Sequence, residues 1–242
     1  MKPLEIFLLM AREFPKPLVL ELGTKRSIPE RATIHRNWVP HAERYDGSDL
    51  GPGLDVDRVA DVHRLSQILG EEQYDIIIAC SAFEHFKYPH MAAHQIMKTL
   101  RVGGICFVQT HQTFPLHAFP YDFFRFSREA LAGLFGTEMG FEVIATDYDF
   151  PAKIQADESP EQRNADAYLN VNLVGRKVAA TPAEYVYEFD TVHVGKPIPA
   201  TDNARLSLAQ AVLSCRSYRR AWGLLRTGGV RALILRLRRG IS

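Results

Sequence analysis

The sequence predicts an α/β fold, in which the short strands of a mostly parallel sheet alternate with helices or linkers. The runs Pro17–Thr24 and Tyr74–Ser81 are predominantly apolar, each with a single acid, which is typical of strands buried on both faces. Apolar residues at helical spacing over Met91–Leu100, ended by Gly103-Gly104, lead into a further strand, Ile105–Gln109. At 242 residues and 46% hydrophobic, the chain can bury one sizeable core.

The first strand carries an acid and ends in a glycine. Burying an unpaired carboxylate costs much free energy, so Glu21 is expected to meet a partner. Gly23 lets the backbone turn sharply and approach a ligand at the carboxyl end of the strand. This order of strand, acid and glycine turn is typical of a nucleotide or adenosyl site.

The other elements follow in chain order. A short helix over Leu4–Glu13 is ended by Pro15 and Pro17. The segment Thr24–Ala42 is basic and irregular, with little room for a long helix, and Val56–Val62 predicts a short third strand. The last elements are a helix over Ser127–Phe135 with Ser127 as its N-cap, and two strands, Phe141–Asp147 and Ala167–Val174, joined by the polar loop Gln155–Asp166.

Three acids lie at or near the ends of predicted strands: Glu21, Asp49 and Asp61. In a parallel sheet these ends line one crevice, where ligands bind. An acid after the second strand is suited to the hydroxyls of a ribose, and one after the third to an adenine amine. Each acid alone is equally well explained as a helix cap or a solvated loop residue, but the series is more specific.

A nicotinamide dinucleotide would require further glycines. Its pyrophosphate is bound by a G-x-G-x-x-G turn at a helix N-terminus. Here Gly23 is followed by Thr24, Lys25, Arg26 and Ser27. The sequence therefore favours a ligand that contains adenosine but no phosphate bridge.

Six segments carry a resemblance to a known family: Leu20–Lys25, Tyr45–Asp49 with Gly51-Pro52-Gly53, Val59–His63, Tyr74–Ile78, Phe83-Glu84-His85 and Leu100–Gly104. Over about residues 17–177 the chain resembles class I S-adenosylmethionine-dependent methyltransferases, of the small bacterial, methyltransferase type 11-like kind. The resemblance implies a Rossmann-like, seven-stranded, mostly parallel sheet with an antiparallel last strand. It divides the chain into a methyltransferase domain, residues 1–178, and a linker with a basic helical extension, residues 179–242.

The resemblance also implies the cofactor, S-adenosyl-L-methionine, with S-adenosyl-L-homocysteine as product. It places Glu21, Gly23, Thr24 and Lys25 near the methionine part, Asp49 at the ribose, Asp61 and Val62 at the adenine, and Ser81 and Phe83 along the cofactor. Where relatives often have a G-x-G loop, this chain has Gly23-Thr24-Lys25. Lys25 or Arg26 is therefore a candidate partner for the methionine carboxylate.

A second group of candidates lies in the aromatic stretch His111–Phe126. Methyl transfer requires alignment and, for a hydroxyl or ammonium acceptor, removal of a proton. Histidine is the natural base near neutral pH, and His117 is the first candidate, His111 the second and His85 the third. The residues expected at the acceptor are Tyr121, Asp122, Arg125 and His85. Alternatively, Asp122 and Arg125 form an ion pair that only holds the loop.

No metal site is predicted from spacing. The chain has nine histidines, but no paired cysteines. His90 and His94 stand four residues apart on a predicted helix, and the resemblance assigns them no role.

The arginine-rich end is read separately from the rest. From Arg205 onward there are nine arginines and no acid, so within a net charge of +1 the preceding residues carry about −8. This basic amphipathic segment is expected to contact an anionic membrane surface, the acidic body of its own chain or a second subunit. Nucleic acid is not expected as a partner, since no binding motif is present.

The expected location is the cytoplasm. The three cysteines are odd in number and read as reduced thiols, and neither a secretory signal nor an apolar stretch of about 20 residues is found. The expected function is methyl transfer to a hydroxyl, or an amine, of a small molecule or sugar in natural-product or polysaccharide biosynthesis. A non-catalytic protein with the same fold is the alternative, and a nicotinamide-dependent dehydrogenase comes third.

Overall fold

The computed structural model describes residues 1–155 and 165–184. Seven strands form its single sheet: β1 (Leu18–Leu22), β2 (Arg44–Asp49), β3 (Arg58–Val59), β4 (Tyr74–Cys80), β5 (Leu100–His111), β6 (Phe141–Ile154) and β7 (Ala165–Lys177). Their order is β3-β2-β1-β4-β5-β7-β6. Strand β7 is antiparallel to β5 and β6, whereas the pairs from β3 to β5 are parallel. The predicted mostly parallel, seven-stranded sheet is confirmed.

The helices are α1 (Pro3–Ala11), α2 (Leu65–Leu69), α3 (Pro89–Thr99) and α4 (Arg128–Ala132). Helix α4 begins as predicted, because Ser127 Oγ accepts a hydrogen bond from the Ala130 N–H at 3.0 Å. Helix α2 was not predicted, since five residues are too few to show a helical period. Within residues 1–155 and 165–184, no helix is both long and apolar enough to cross a membrane.

The glycine pair Gly103-Gly104 does not end a helix. Helix α3 already ends at Thr99, and β5 runs through both glycines. Gly103 has φ +86°, and a Cβ on Gly104 would lie 2.8 Å from the Asp75 carbonyl oxygen. The pairing of β4 with β5 also shifts register here, so the glycines allow an irregularity within a strand.

Both faces of the sheet are covered, which explains the predominantly apolar strands. On one face, Phe7 and Met10 of α1 belong to a cluster with Val19, Ile76 and Phe107. On the other face the cluster includes Leu20, Ile77, Cys106, Ile96 of α3 and Leu131 of α4.

The segment between β1 and β2 contains no α-helix in the described structure, as the sequence predicted. Its one regular element is a 3₁₀ turn, Arg36–Trp38. The Trp38 ring contacts Phe107 edge-on with centroids 5.6 Å apart, and Phe7 at 6.1 Å. This contact anchors the segment to the α1 face of the sheet.

The chain divides into two compact units, Met1–Tyr185 and Val186–Ser242. The second unit lies outside the described residues, as do most of the predicted loop Gln155–Asp166 and the arginine-rich end. The boundary between residues 178 and 179 and the helical nature of the extension stay predictions.

Candidate functional site

A cleft of about 1060 Å³ opens at the carboxyl ends of the central strands. It is lined by Gly23 after β1, by Ser48 and Asp49 at the end of β2, and by Ser81 after β4. The strand order reverses between β1 and β4, and ligands of open α/β sheets bind at such a point. The volume is sufficient for a nucleoside-sized ligand together with a small second molecule.

The floor of the cleft depends on Gly23. This residue has φ +77°, and a Cβ there would lie 3.0 Å from Ala82 Cβ. Its N–H donates to the Ser48 carbonyl oxygen at 2.8 Å, which closes the turn on β2. A residue without a side chain is therefore required where the ends of β1 and β4 come together.

The end of β2 presents two polar groups to the cleft. Asp49 Oδ2 accepts the Lys25 N–H at 3.1 Å, and the carboxylate is only partly buried. The Ser48 hydroxyl is buried and has no hydrogen-bond partner among the described residues. Because buried polar groups rarely remain unpaired, these groups fit a ligand that brings its own hydroxyls.

After β3, Asp61 caps the 3₁₀ turn Val62–Arg64. Its Oδ1 accepts the His63 N–H at 2.9 Å and lies 2.7 Å from His63 Nδ1. Burial acts to raise the pKa of Asp61, but these hydrogen bonds outweigh it and hold that pKa below its ordinary value. His63 Nε2 accepts the Tyr88 N–H at 3.2 Å, so Nδ1 carries the ring proton. His63 lines the cleft and was not predicted.

Glu21 has the partner that its burial required, but that partner belongs to the protein. Its Oε2 accepts the His35 N–H at 2.8 Å and the Tyr45 hydroxyl at 2.5 Å, and Oε1 lies 2.5 Å from His35 Nδ1. Burial and the neighbouring carboxylate raise the pKa of Tyr45 well above its ordinary value. Glu21 therefore anchors residues 24–43, and His35 of that segment lines the cleft.

Of the two cations expected near a carboxylate ligand, only Lys25 lines the cleft. Arg26 binds Asp55 through two nitrogen–oxygen contacts of 2.9 Å, and donates to the Pro29 carbonyl at 2.8 Å. Arg31, another base of the segment Thr24–Ala42, also lines the cleft. Lys25 and Arg31 are thus the basic side chains placed to meet an anionic ligand group.

Three histidines gather at the other end of the cleft. The ring centroids of His85 and His117 are 4.9 Å apart, and those of His111 and His117 are 5.2 Å apart. The His111 ring stacks on Phe114 at 4.1 Å. Burial lowers the pKa of His111 and outweighs the opposite effect of the Glu84 carboxylate, which favours a neutral ring that can accept a proton.

The predicted site residues separate into two groups. Those that line the cleft are Gly23, Lys25, Asp49, Asp61, Val62, Ser81, His85, His111, His117 and Tyr121. Those that lie behind its walls are Glu21, Thr24, Phe83, Asp122 and Arg125. Thr24 and Phe83 are fully buried: the Thr24 hydroxyl lies 3.4 Å from the Ser48 carbonyl oxygen, and the Phe83 ring packs on Phe86 with centroids 4.9 Å apart.

Asp122 and Arg125 hold the loop that carries His117. Asp122 Oδ1 and Oδ2 accept hydrogen bonds from the Arg125 guanidinium at 2.6 and 2.9 Å, and Oδ2 also accepts the His117 N–H at 2.9 Å. The hydrogen bonds from Arg125 and His117 hold the pKa of Asp122 well below its ordinary value. The ion pair named as the alternative role of these residues is therefore present.

Replacing Asp122 by asparagine is expected to loosen residues 112–126. The amide keeps the size of the side chain but loses the charge that binds Arg125 and one of the two acceptor oxygens. We expect chymotrypsin to cleave the aromatic loop several times faster, since Phe119 is 95% exposed there. Asp166→Asn, which removes an exposed partner of Lys153, should cleave at the wild-type rate. Equal rates for all three proteins would contradict the anchoring role.

Strained backbone also concentrates around the cleft. Ser81, Ala118 and Phe150 line it and have φ values of +49°, +51° and +57°. Non-glycine residues in this region cost free energy and persist only where the surroundings fix them. These walls are therefore held in place by the fold.

Comparisons with known proteins agree with this architecture. A family model described as a methyltransferase domain matches residues 4–146. A candidate methyltransferase from Bacillus halodurans is similar in structure, with a TM-score of 0.53, 14% identity, and coverage of 73% of this chain and 99% of that one. No curated protein matches the chain at a significant level.

Two further solved structures overlap at TM-scores of 0.49. One is 1,6-didemethyltoxoflavin-N1-methyltransferase from Burkholderia thailandensis, with bound 1,6-didemethyltoxoflavin and S-adenosylhomocysteine, at 16% identity over 73% of this chain and 77% of that one. The other is an S-adenosylmethionine-dependent methyltransferase from Mesorhizobium loti, at 15% identity over 69% and 95%.

Proposed function

Since the chain belongs to the methyltransferase domain family, we propose that it transfers a methyl group to a hydroxyl, or an amine, of a small molecule or sugar. The observation that carries this proposal is the composition of the cleft described above. Ser48, Asp49 and Asp61 line it at or after the ends of β2 and β3, whereas His85, His111 and His117 line it at or after the ends of β4 and β5, further along the strand order. A methyl donor and an acceptor thus have separate places in one volume.

S-adenosyl-L-methionine is the cofactor of this family, and it supplies a methyl group on a positively charged sulfur. The described residues fit it in several places. Asp49 and the unpaired Ser48 hydroxyl suit the ribose, and Asp61 suits an amine on the adenine. Lys25 and Arg31 line the cleft and carry the positive charge that a methionine carboxylate would require. Of the three acids and Gly23, Glu21 supports the wall of the cleft, whereas Gly23, Asp49 and Asp61 line the cleft itself.

The histidine end suits the acceptor. Bound S-adenosyl-L-methionine would supply the methyl carbon to the acceptor oxygen or nitrogen and would keep the electron pair of the broken carbon–sulfur bond, leaving as S-adenosyl-L-homocysteine. The acceptor proton must leave, and His117, with His111 as the second candidate, is placed to take it. Phe114, Tyr121 and Phe150 give this end an apolar lining, which favours a weakly polar acceptor and makes oxygen slightly preferable to nitrogen.

The wider setting is also part of the proposal. Cys80 and Cys106 are free thiols, in keeping with a cytoplasmic location. We place the reaction in natural-product or polysaccharide biosynthesis, and leave open a homo-oligomer and a membrane-surface contact by the arginine-rich end. That segment lies outside the described residues.

The first test is calorimetric titration of the full chain with S-adenosyl-L-homocysteine and, in parallel, with NAD⁺. We expect saturable binding of the first compound alone, because the glycine turn has no room built for a pyrophosphate. Methyl transfer to a panel of hydroxylated metabolites, sugars and amines then identifies the acceptor class. Binding of NAD⁺ alone would overturn the proposal, and binding of neither compound would favour a non-catalytic protein.

A further inference from the structure

We propose that Glu84, His85 and His117 form a site for a divalent transition-metal ion at the acceptor end of the cleft. One ligand atom from each of these residues lies within 4.8 Å of the others. His85 and His117 line the cleft, whereas Glu84 is completely buried behind them. An ion held by these three groups would keep at least one coordination position open to the cleft. The catalytic use of this ion rests on the proposed function, but its binding does not.

The distances require only small adjustments to hold an ion. Donors bound at about 2.1 Å in a tetrahedral site lie about 3.4 Å from one another. Glu84 Oε1 and His85 Nε2 are already 3.7 Å apart. All three ligand atoms lie within 4.8 Å of one another, so no pair has to approach by more than about 1.4 Å to reach this spacing.

Hydrogen bonds already orient the rings as ligands. His85 Nδ1 lies 2.7 Å from the Tyr121 carbonyl oxygen, and His117 Nδ1 lies 3.1 Å from the Pro115 carbonyl oxygen. A carbonyl oxygen only accepts, so in both rings the proton sits on Nδ1 and the Nε2 lone pair is left for an ion. Metal-binding histidines commonly donate their other N–H to a carbonyl or carboxylate in this way.

The carboxylate of Glu84 gives an independent indication that a cation binds here. Its Oε2 accepts the Thr110 hydroxyl at 2.7 Å. Its Oε1 lies 3.0 Å from His111 Nε2, yet it has no hydrogen-bond partner in the described part of the chain. A fully buried carboxylate oxygen without a partner is costly, and a cation between Oε1 and the histidines would remove that cost.

The donor set selects the class of ion. Two imidazole nitrogens and one carboxylate oxygen suit Zn²⁺, Co²⁺, Fe²⁺ or Ni²⁺, and an all-oxygen shell would be needed to prefer Mg²⁺ or Ca²⁺. The spacing of the sequence did not predict this site because its ligands come from two regions. Glu84 and His85 follow β4, and His117 lies in the loop after β5.

The ion changes the role of His117 in the proposed reaction. One Nε2 lone pair cannot both bind a metal and accept a proton. A bound ion would supply a Lewis acid that lowers the pKa of an acceptor hydroxyl, and His111 would be the neighbouring base left to accept its proton. The group transferred and the bonds broken stay the same as above.

Metal binding is tested on the full chain after treatment with a chelator. We expect calorimetric titration with Zn²⁺ to show one equivalent bound. Bound Co²⁺ should absorb visible light as it does at a site of low coordination number. His85→Ala and His117→Ala should each weaken Zn²⁺ binding at least tenfold, because each removes one of three ligands. His41→Gln serves as the matched control, since His41 bonds to the Ala11 carbonyl oxygen on the α1 face and should bind metal as the wild type does.

Thermal unfolding provides the second readout. Zn²⁺ should raise the melting temperature of the wild type and of His41→Gln, and should raise it less in the ligand variants. His117→Gln replaces His117→Ala if the alanine variant does not fold. Binding of less than one equivalent by the wild type, or equal binding by all variants, overturns the proposal. Titration of the metal-free protein with S-adenosyl-L-homocysteine separates the two proposals: binding there with no metal site rejects the ion alone, and a metal site without that binding rejects the methyltransferase function alone.

Discussion

Replacing Asp49 by alanine is expected to weaken S-adenosyl-L-homocysteine binding about 100-fold. The carboxylate lies at the end of β2, lines the cleft and is partly exposed there. Hydrogen bonds from two ribose hydroxyls to a charged acceptor are worth about 1.5 kcal/mol each or more, and about 3 kcal/mol corresponds to about 100-fold in affinity. Calorimetric titration measures the change directly.

The control for Asp49→Ala is an acid that immediately precedes the same strand. Glu43 is an exposed acid just before the amino end of β2, away from the cleft at the carboxyl ends. Glu43→Ala should therefore bind S-adenosyl-L-homocysteine as the wild type does. Thermal unfolding should show both variants folded. An Asp49→Ala protein that binds with undiminished affinity would remove the ribose assignment and leave the cleft without its central anchor.

Replacing Glu21 by glutamine is expected to lower the free energy of unfolding by about 2–4 kcal/mol. The carboxylate accepts hydrogen bonds from the Tyr45 hydroxyl and the His35 N–H, and its other oxygen lies 2.5 Å from His35 Nδ1. An amide offers only one acceptor oxygen, and its NH₂ group faces donors. Because His35 belongs to the segment that lines the cleft, S-adenosyl-L-homocysteine binding should weaken as well.

Urea unfolding measures this loss, and two variants calibrate it. Tyr45→Phe removes one donor and should cost about 1 kcal/mol. Glu13→Gln removes an acid that is 58% exposed and pairs with Arg176, and should cost less than about 1 kcal/mol. If Glu21→Gln unfolds at the same urea concentration as Glu13→Gln, the buried network does not stabilise the protein as described here.

The sequence predicted the sheet well because burial on both faces leaves a strong pattern. Apart from Glu21 and Asp75, strands β1 and β4 are apolar throughout, and the structure places their apolar residues alternately in the two clusters. The positions of Asp49 and Asp61 were predicted for a related reason. The carboxyl ends of parallel strands lie on the same side of a sheet, so an acid that follows a strand is expected on that side. Gly103-Gly104 was misread because glycine weakens helices and strands alike, and only the pairing with β4 shows its use.

The direction of a side chain, by contrast, depends on neighbours that are distant in sequence. Glu21 was expected at the ligand, but its carboxylate accepts hydrogen bonds from Tyr45 and His35 and therefore points into the wall of the cleft. Glu84 was assigned no role beside His85, since its neighbours Thr110 and His111 come from β5. His111 Nδ1 in turn lies 3.0 Å from Oδ1 of Asn170, the residue opposite it on β7.

By itself, the sequence determined the layered α/β architecture, the position of the cleft at the carboxyl ends of the strands, and the residue types available there. These follow from local periodicity and from the geometry that all parallel sheets share. Only the tertiary structure decided which acids face the cleft, which ion pair holds the aromatic loop, and that Glu84, His85 and His117 meet. Those outcomes depend on contacts between segments far apart in the chain, and a buried charge takes whichever partner the fold brings within hydrogen-bond distance.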